Sequence, residues 1–253
     1  MPLSAAALVS LQAQAASHDA ATPPLEIEVG GARLQLLSER AAFLPEHRTL
    51  LVADAHIGKA QSFRRLGVPV PGGTTVAMLQ RLSQAIARTQ AQRVVFLGDL
   101  LHSARARAPA TWAAVADWRA RHEALELTLV RGNHDLHAGD PPAAWRITCV
   151  AEPWPLGPLA LAHHPQTLSG SYVLAGHVHP AVVLGGGRHG RLRLPCFHFA
   201  PGLGLLPAFG EFTGMHTLPQ QPDHRIYVVA DDEVRAVTRP QHPAHPARPT
   251  PAR

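Results

Sequence analysis

Seven side chains able to bind metal recur in one chain order: Asp54 and His56 in DAH, Asp99 closing a GD pair, Asn133 in GNHD, His163 in AHH, and His177 and His179 in GHVH. Carboxylates, imidazoles and one amide, without thiolate, are the donors that hold a pair of divalent cations a few ångströms apart. That arrangement hydrolyses phosphate esters. Two divalent cations carry four positive charges and the two carboxylates return two, which leaves a surplus that a hydroxide and a phosphodiester anion would cancel and an uncharged amide would not. Manganese is the favoured ion, with iron or zinc also compatible with mixed nitrogen and oxygen ligation.

Within this set Asp54 and His56 would hold one cation from a single turn, Asp99 can bridge two, and Asn133 adds an oxygen without adding charge. Gly98, Gly132 and Gly176 stand where the chain must bend to aim the ligands. His164 competes with His163, which is preferred because it comes first after an apolar run. His134, beside Asn133, is placed to protonate the leaving oxygen, and Asp135 to orient its ring. Lys59, the chain's sole lysine, Arg64 and Arg65 follow the first motif and would give a basic rim that contacts substrate phosphates, although solvated surface charge is the plain alternative for the arginines. His102, with Ser103, follows Asp99 and serves substrate, the ligands or simply the fold. Trp112, Trp118, Trp145 and Trp154 read as core and not as base-stacking platforms.

The elements that must carry these residues are short apolar runs. Residues 48–53, 92–97 and 125–130 read as buried strands with a motif at each C-terminal end. Between the first two, Val76, Leu79, Leu82 and Ile86 recur at helical spacing after Thr74, a candidate N-cap; between the next two, Pro109 opens a helix with Trp112, Val115 and Arg119 on one side. A β-α-β-α-β order means a parallel sheet with ligands at the strand ends. Residues 25–29 and 33–37 form a hairpin around Gly30 and Gly31. From residue 147 strands dominate, at 147–150, 159–162, 172–175, 191–199, 225–229 and 234–237, and a second sheet packed on the first is expected.

The 253 residues, 46% hydrophobic, suffice for one large domain with one active site. The net charge of +5 favours acidic partners such as nucleic acid. Cys149 and Cys196 form no CxxC pair, so neither a disulfide framework nor a zinc ribbon is indicated, and a reducing cytoplasm is the simplest setting. No apolar stretch approaches the roughly 18 to 20 residues of a membrane span. Residues 1–24 are read as a disordered leader, since no Lys or Arg precedes their apolar run, and the proline-rich residues 238–253 as a disordered tail.

The motif series D-x-H, GD, GNHD, H and G-H-x-H resembles that of the calcineurin-like metallophosphoesterase superfamily. That resemblance implies an α/β fold: a four-layer αββα sandwich of two mixed sheets flanked by helices, spanning 25–237. It also implies one metal held by Asp54, His56, Asp99 and His179 and another by Asp99, Asn133, His163 and His177. A narrower resemblance, carried by DAHIGKAQSFRRLGVPVP, GDLLHS, AHHP and PAFGEFTG, is to the bacterial ligase-associated DNA damage response endonucleases of the PdeM type. Met215 stands where that pattern leads one to expect a glycine, and the loop with His137 aligns poorly. The implied function is a DNA endonuclease in repair, in company with a DNA ligase, a helicase and an exonuclease. A small-molecule phosphodiesterase or phosphatase is the nearest rival, and a catalytically silent scaffold a more distant one.

Overall fold

The computed structural model describes residues 23–103, 108–185 and 190–237. The expected leader, apart from residues 23–24, and the expected tail lie outside the described residues. Two mixed sheets pack face to face. The first runs β1 (Leu25–Val29), β2 (Ala32–Leu36), β3 (Ala42–Leu44), β4 (Thr49–Val52), β5 (Arg93–Leu97), β6 (Glu126–Val130) and β7 (Ile147–Val150), in that spatial order. Its pairs are antiparallel up to β4 and parallel from β4 to β7. The segment 147–150, grouped by sequence with the second sheet, therefore belongs to the first, where its register beside β6 extends the parallel run.

The second sheet holds β8 (Trp154–Leu156), β9 (Leu159–Ala162), β10 (Tyr172–Ala175), β11 (Pro180–Gly185), β12 (Arg191–Ala200), β13 (Leu203–Leu205), β14 (His216–Thr217), β15 (Arg225–Ala230) and β16 (Glu233–Ala236). Here β9, β10 and β13 run parallel to one another, and β8, β11 and β15 pair antiparallel with their partners β9 and β12.

Alternation within continuous apolar strands divides the core into layers. Leu50, Val52, Val94, Phe96, Leu127 and Leu129 face the helices Thr74–Thr89 and Pro109–Arg121, which cover the outer face of the first sheet. Leu51, Ala53, Val95, Leu97 and Val130 face the other way, onto Leu161, Leu174, Phe197 and Phe199 of the second sheet. A side chain on either face is thus removed from water. Trp118 and Trp145 are buried in the helical layer, Trp112 packs against it, and Trp154 packs between the sheets, all four as core residues. Among the described residues no helix follows Trp145, so small apolar clusters under loops back the outer face of the second sheet.

Two local expectations shift. The first long helix is capped by Gly73 in a left-handed conformation, with Thr74 already helical, because the glycine makes the turn without steric cost. Val76 lies on its exposed side, and Met78, Leu79, Leu82, Ala85 and Ile86 form the buried stripe.

Candidate metal centre

Five parallel strands end at one rim, and each hands its next residues to the same spot. β4 leads to Asp54 and His56, β5 to Asp99 and β6 to Asn133; from the second sheet β9 leads to His163 and β10 to His177 and His179. All seven expected ligands lie in this cluster, drawn from residues up to 125 positions apart in sequence.

The local backbone explains how neighbours in sequence converge. Asp54, His56, Asp99, His177 and His179 all have positive φ, between 45° and 69°. This left-handed region is uncommon for residues with a Cβ and concentrates at functional sites. Asp54 and His56 in DAH, and His177 and His179 in GHVH, all adopt it, so each loop curls and brings two side chains to one point. The turns are pinned across strands: His56 N–H donates to the Asp99 carbonyl at 2.8 Å, Ile57 N–H to Leu100 at 2.8 Å, and Gly210 N–H to the Asp54 carbonyl at 3.0 Å. Only Gly98 of the three motif glycines has the positive φ expected of a bend. Gly132 and Gly176 serve a different need, because a Cβ there would collide with the Asp99 and Asp54 carboxylates.

The donor atoms sort into two groups. In one, His163 Nε2 lies 2.9 Å from Asn133 Oδ1, 3.0 Å from His177 Nδ1 and 3.4 Å from Asp99 Oδ1. In the other, His56 Nε2 lies 3.4 Å from His179 Nε2 and 3.7 Å from Asp99 Oδ2, and His179 Nε2 lies 3.5 Å from Asp54 Oδ1. The two oxygens of Asp99 point one to each group. Ions bound at about 2.1 Å place adjacent donors about 3 Å apart, close to these separations.

Tautomers fixed by neighbours leave these nitrogens as acceptors. His163 Nδ1 faces the Leu97 carbonyl at 3.0 Å and His179 Nδ1 the Gly214 carbonyl at 2.9 Å, so in each neutral ring Nδ1 donates and Nε2 keeps its lone pair. Acceptors converging on acceptors need a cation between them. Burial, followed by the charges of Lys59 and the surrounding histidines, pushes the His56 imidazole down to about 2, which keeps it neutral and its lone pair free. Burial and the neighbouring His163 and His164 also lower His177. Burial opposes a charge on His179, but the Asp54 carboxylate outweighs it and holds that imidazole above its ordinary value. Among the described residues the buried His56 Nδ1 has no hydrogen-bond partner. The residues present fit divalent ions.

His164 sits on the edge of the cluster. Its Nδ1 contacts Glu152 Oε1 at 2.6 Å, and Glu152 Oε2 also accepts from the backbone N–H groups of His163 and His164 at 2.7 and 2.9 Å. Sequence reading missed Glu152, and nothing in its local context reveals a clamp acting eleven residues later.

His134 Nδ1 faces the His102 carbonyl at 2.9 Å, so the neutral ring turns Nε2 toward the centre, 3.9 Å from Asp99 Oδ2, with 39% of the side chain exposed. Asp135 does not orient that ring. Its carboxylate is buried and accepts the N–H groups of Leu101 and Gly132 at 3.0 Å each, which ties the second and third motif loops together. Burial raises the Asp135 carboxyl despite those bonds. The His102 ring stacks on His134 with centroids 5.3 Å apart, and burial with Lys59 pushes it down to about 4. Lys59 is half-buried, lowered by burial and opposed by the charges of Asp99 and Asp54. Arg64 and Arg65 are exposed at the end of the helix Lys59–Arg65.

A further segment completes the wall. Ala208 bridges to Ala53, the buried Phe209 donates its N–H to the Ala53 carbonyl, and Arg81 bonds both the Phe209 carbonyl and Glu211. The PAFGEFTG segment thus braces both the DAH turn and His179.

Among solved structures the chain is similar to Pseudomonas putida nuclease MPE, at 47% identity over 85% of this chain and 100% of that one, with a TM-score of 0.75. It also matches Yfce, a phosphoesterase from E. coli, at 16% identity, 75% and 97% coverage and a TM-score of 0.36. No protein-family model and no curated protein matches the chain. With 47% identity across the full length of a solved nuclease, and with the motif geometry above, the chain belongs to the metallophosphoesterase family that includes Pseudomonas putida nuclease MPE.

Proposed function

We propose that this metal-dependent phosphoric ester hydrolase is a two-metal phosphodiesterase that cuts nucleic-acid strands internally, and that its biological substrate is DNA under repair. The division of the two Asp99 oxygens between two donor groups carries the two-metal reading. The nuclease relative and the net charge of +5 support nucleic acid as substrate.

When bound, the cations supply Lewis acidity that draws charge from the phosphoryl oxygens and readies a water molecule for in-line attack. Asp54, His56, Asp99 and His179 would hold one ion, and Asp99, Asn133, His163 and His177 the other. Once protonated on both nitrogens, His134 would give its Nε2 proton to the departing oxygen and return to the neutral ring, its Nδ1–H staying bonded to the His102 carbonyl. His102 positions that ring by stacking, and Asp135 positions the loop that carries it. Lys59 and, further out, Arg64 and Arg65 would meet the phosphates beside the scissile one. We favour manganese, with iron or zinc as alternatives. We place the protein in the cytoplasm, beside the DNA ligase, helicase and exonuclease of a repair pathway; the unpaired Cys149 and Cys196 fit a reducing compartment, and no helix among the described residues is long and apolar enough to cross a membrane.

The test pairs a circular single-stranded DNA with bis(p-nitrophenyl) phosphate. Chelator-treated protein should be inactive on both and regain both activities with manganese, the circle being linearised. Restored ester hydrolysis with no nicking would overturn the nuclease reading in favour of a small-molecule phosphodiesterase.

A further inference from the structure

Phe212 stands out among the exposed apolar side chains. It is 43% exposed, whereas Phe209, three residues earlier, is fully buried. Its φ is 58°, a conformation that a bulky residue rarely adopts and that the surrounding structure must enforce. The enforcing contacts are present: next to it Glu211 is held by Arg81 at 2.6 Å and by Arg40 at 3.8 Å, and Thr213 Oγ1 bonds the Gly210 carbonyl at 3.4 Å.

Its position connects it to the metal centre on two sides. On one side Phe212 borders a crevice with His56, Gly58 and Lys59. On the other it lines a groove of about 290 Å³ with His179, Arg40, Arg193 and Met215, near the lower bound of about 300 Å³ for small-molecule sites. Among the residues that line this groove, Arg40 and Arg193 outnumber the single carboxylate of Glu211, so it keeps a positive surplus suited to phosphate. An isolated exposed phenylalanine calls for no explanation. An aromatic ring fixed beside two ligands of one metal and flanked by cations is the arrangement that binds single strands: a stacking face with a basic track.

We propose that Phe212 is the platform on which a nucleobase next to the cleaved phosphodiester stacks, while the Arg40–Arg193 groove receives the adjoining backbone. This rests on the nucleic-acid reading above and specifies how that substrate is held. Stacking on a side chain accepts any base and requires it to be unpaired, so the subsite selects strand state and not sequence. The tryptophans are poorer candidates, because Trp118 and Trp145 are buried and Trp112 and Trp154 pack against the apolar clusters.

The test measures binding by fluorescence anisotropy and cleavage kinetics on two oligonucleotides, one with ordinary bases and one with abasic residues flanking the cut site. Wild-type protein should bind and cleave the abasic strand about tenfold or more less well, expressed in Kd and KM. Phe212→Ala should treat the two strands alike, at the level of wild type on the abasic one, and Phe212→Trp should restore the difference. Leu192→Ala, an exposed apolar residue on the β11–β12 hairpin, should behave as wild type. Retention of the full difference by Phe212→Ala would overturn the platform. Failure of wild-type protein to bind or cut either strand while hydrolysing bis(p-nitrophenyl) phosphate would instead overturn the nuclease reading beneath it.

Discussion

Asp99 is held by backbone hydrogen bonds from two loops. Its Oδ1 accepts the His134 backbone N–H at 2.9 Å, and its carbonyl accepts His56 N–H, so the carboxylate is aimed from both neighbouring loops. Gly132 lies so close that a methyl group would overlap that oxygen and crowd the His163 ring. Gly132→Ala should therefore cost the protein at least one bound metal per chain while leaving the circular-dichroism spectrum unchanged; full metal content in the variant would show that Asp99 has room to move. His134 occupies the complementary position, outside the donor groups but facing them. His134→Ala should lower turnover about 100-fold or more with metal content nearly intact, and loss of metal in step with activity would make His134 a ligand and not the acid.

At the scale of elements, the centre depends on strand ends staying level across two sheets. Tyr172, the first residue of β10, helps to hold that level. Its hydroxyl donates to the Ala200 carbonyl at 2.8 Å, reaching across β13 to β12, and its Cβ fills the space above Gly30 in the first sheet. Burial pushes its phenol up to about 12 from an ordinary 10.0, against the lowering charge of Arg225. The unfolded chain thus loses this proton first. The contribution to stability is complete below pH 10 and is lost as pH rises toward 12. The phenolate absorbance of wild type minus Tyr172→Phe should show a native transition near 12, and a transition near 10 would mean that the hydroxyl is free in water. The parallel strands, the motif at each strand end and Pro109 as a helix start were legible because apolar runs and turn residues are local signals. The braces were not. Glu211 meets Arg81 130 positions away and Gly214 meets His179 35 away, and no periodicity encodes such pairs. Asp135 was misjudged for a related reason, since proximity in sequence to His134 says nothing about which backbone N–H groups its carboxylate will find. Segment 147–150 was misplaced because its short alternating pattern fits either sheet, and only pairing with β6 decides.

For the whole molecule, two sheets packed through a shared apolar layer bring five strand ends to one rim, and the net positive charge lies on a protein whose relative of known structure is a nuclease. Every proposal above requires that rim to hold two ions with Asp99 between them. Crystals grown with manganese and measured for its anomalous scattering test this most directly. Two peaks per chain should appear about 3.5 to 4 Å apart, one beside Asp54, His56 and His179, the other beside Asn133, His163 and His177, with one Asp99 oxygen toward each. A single peak, or two peaks that do not share Asp99, would contradict the account.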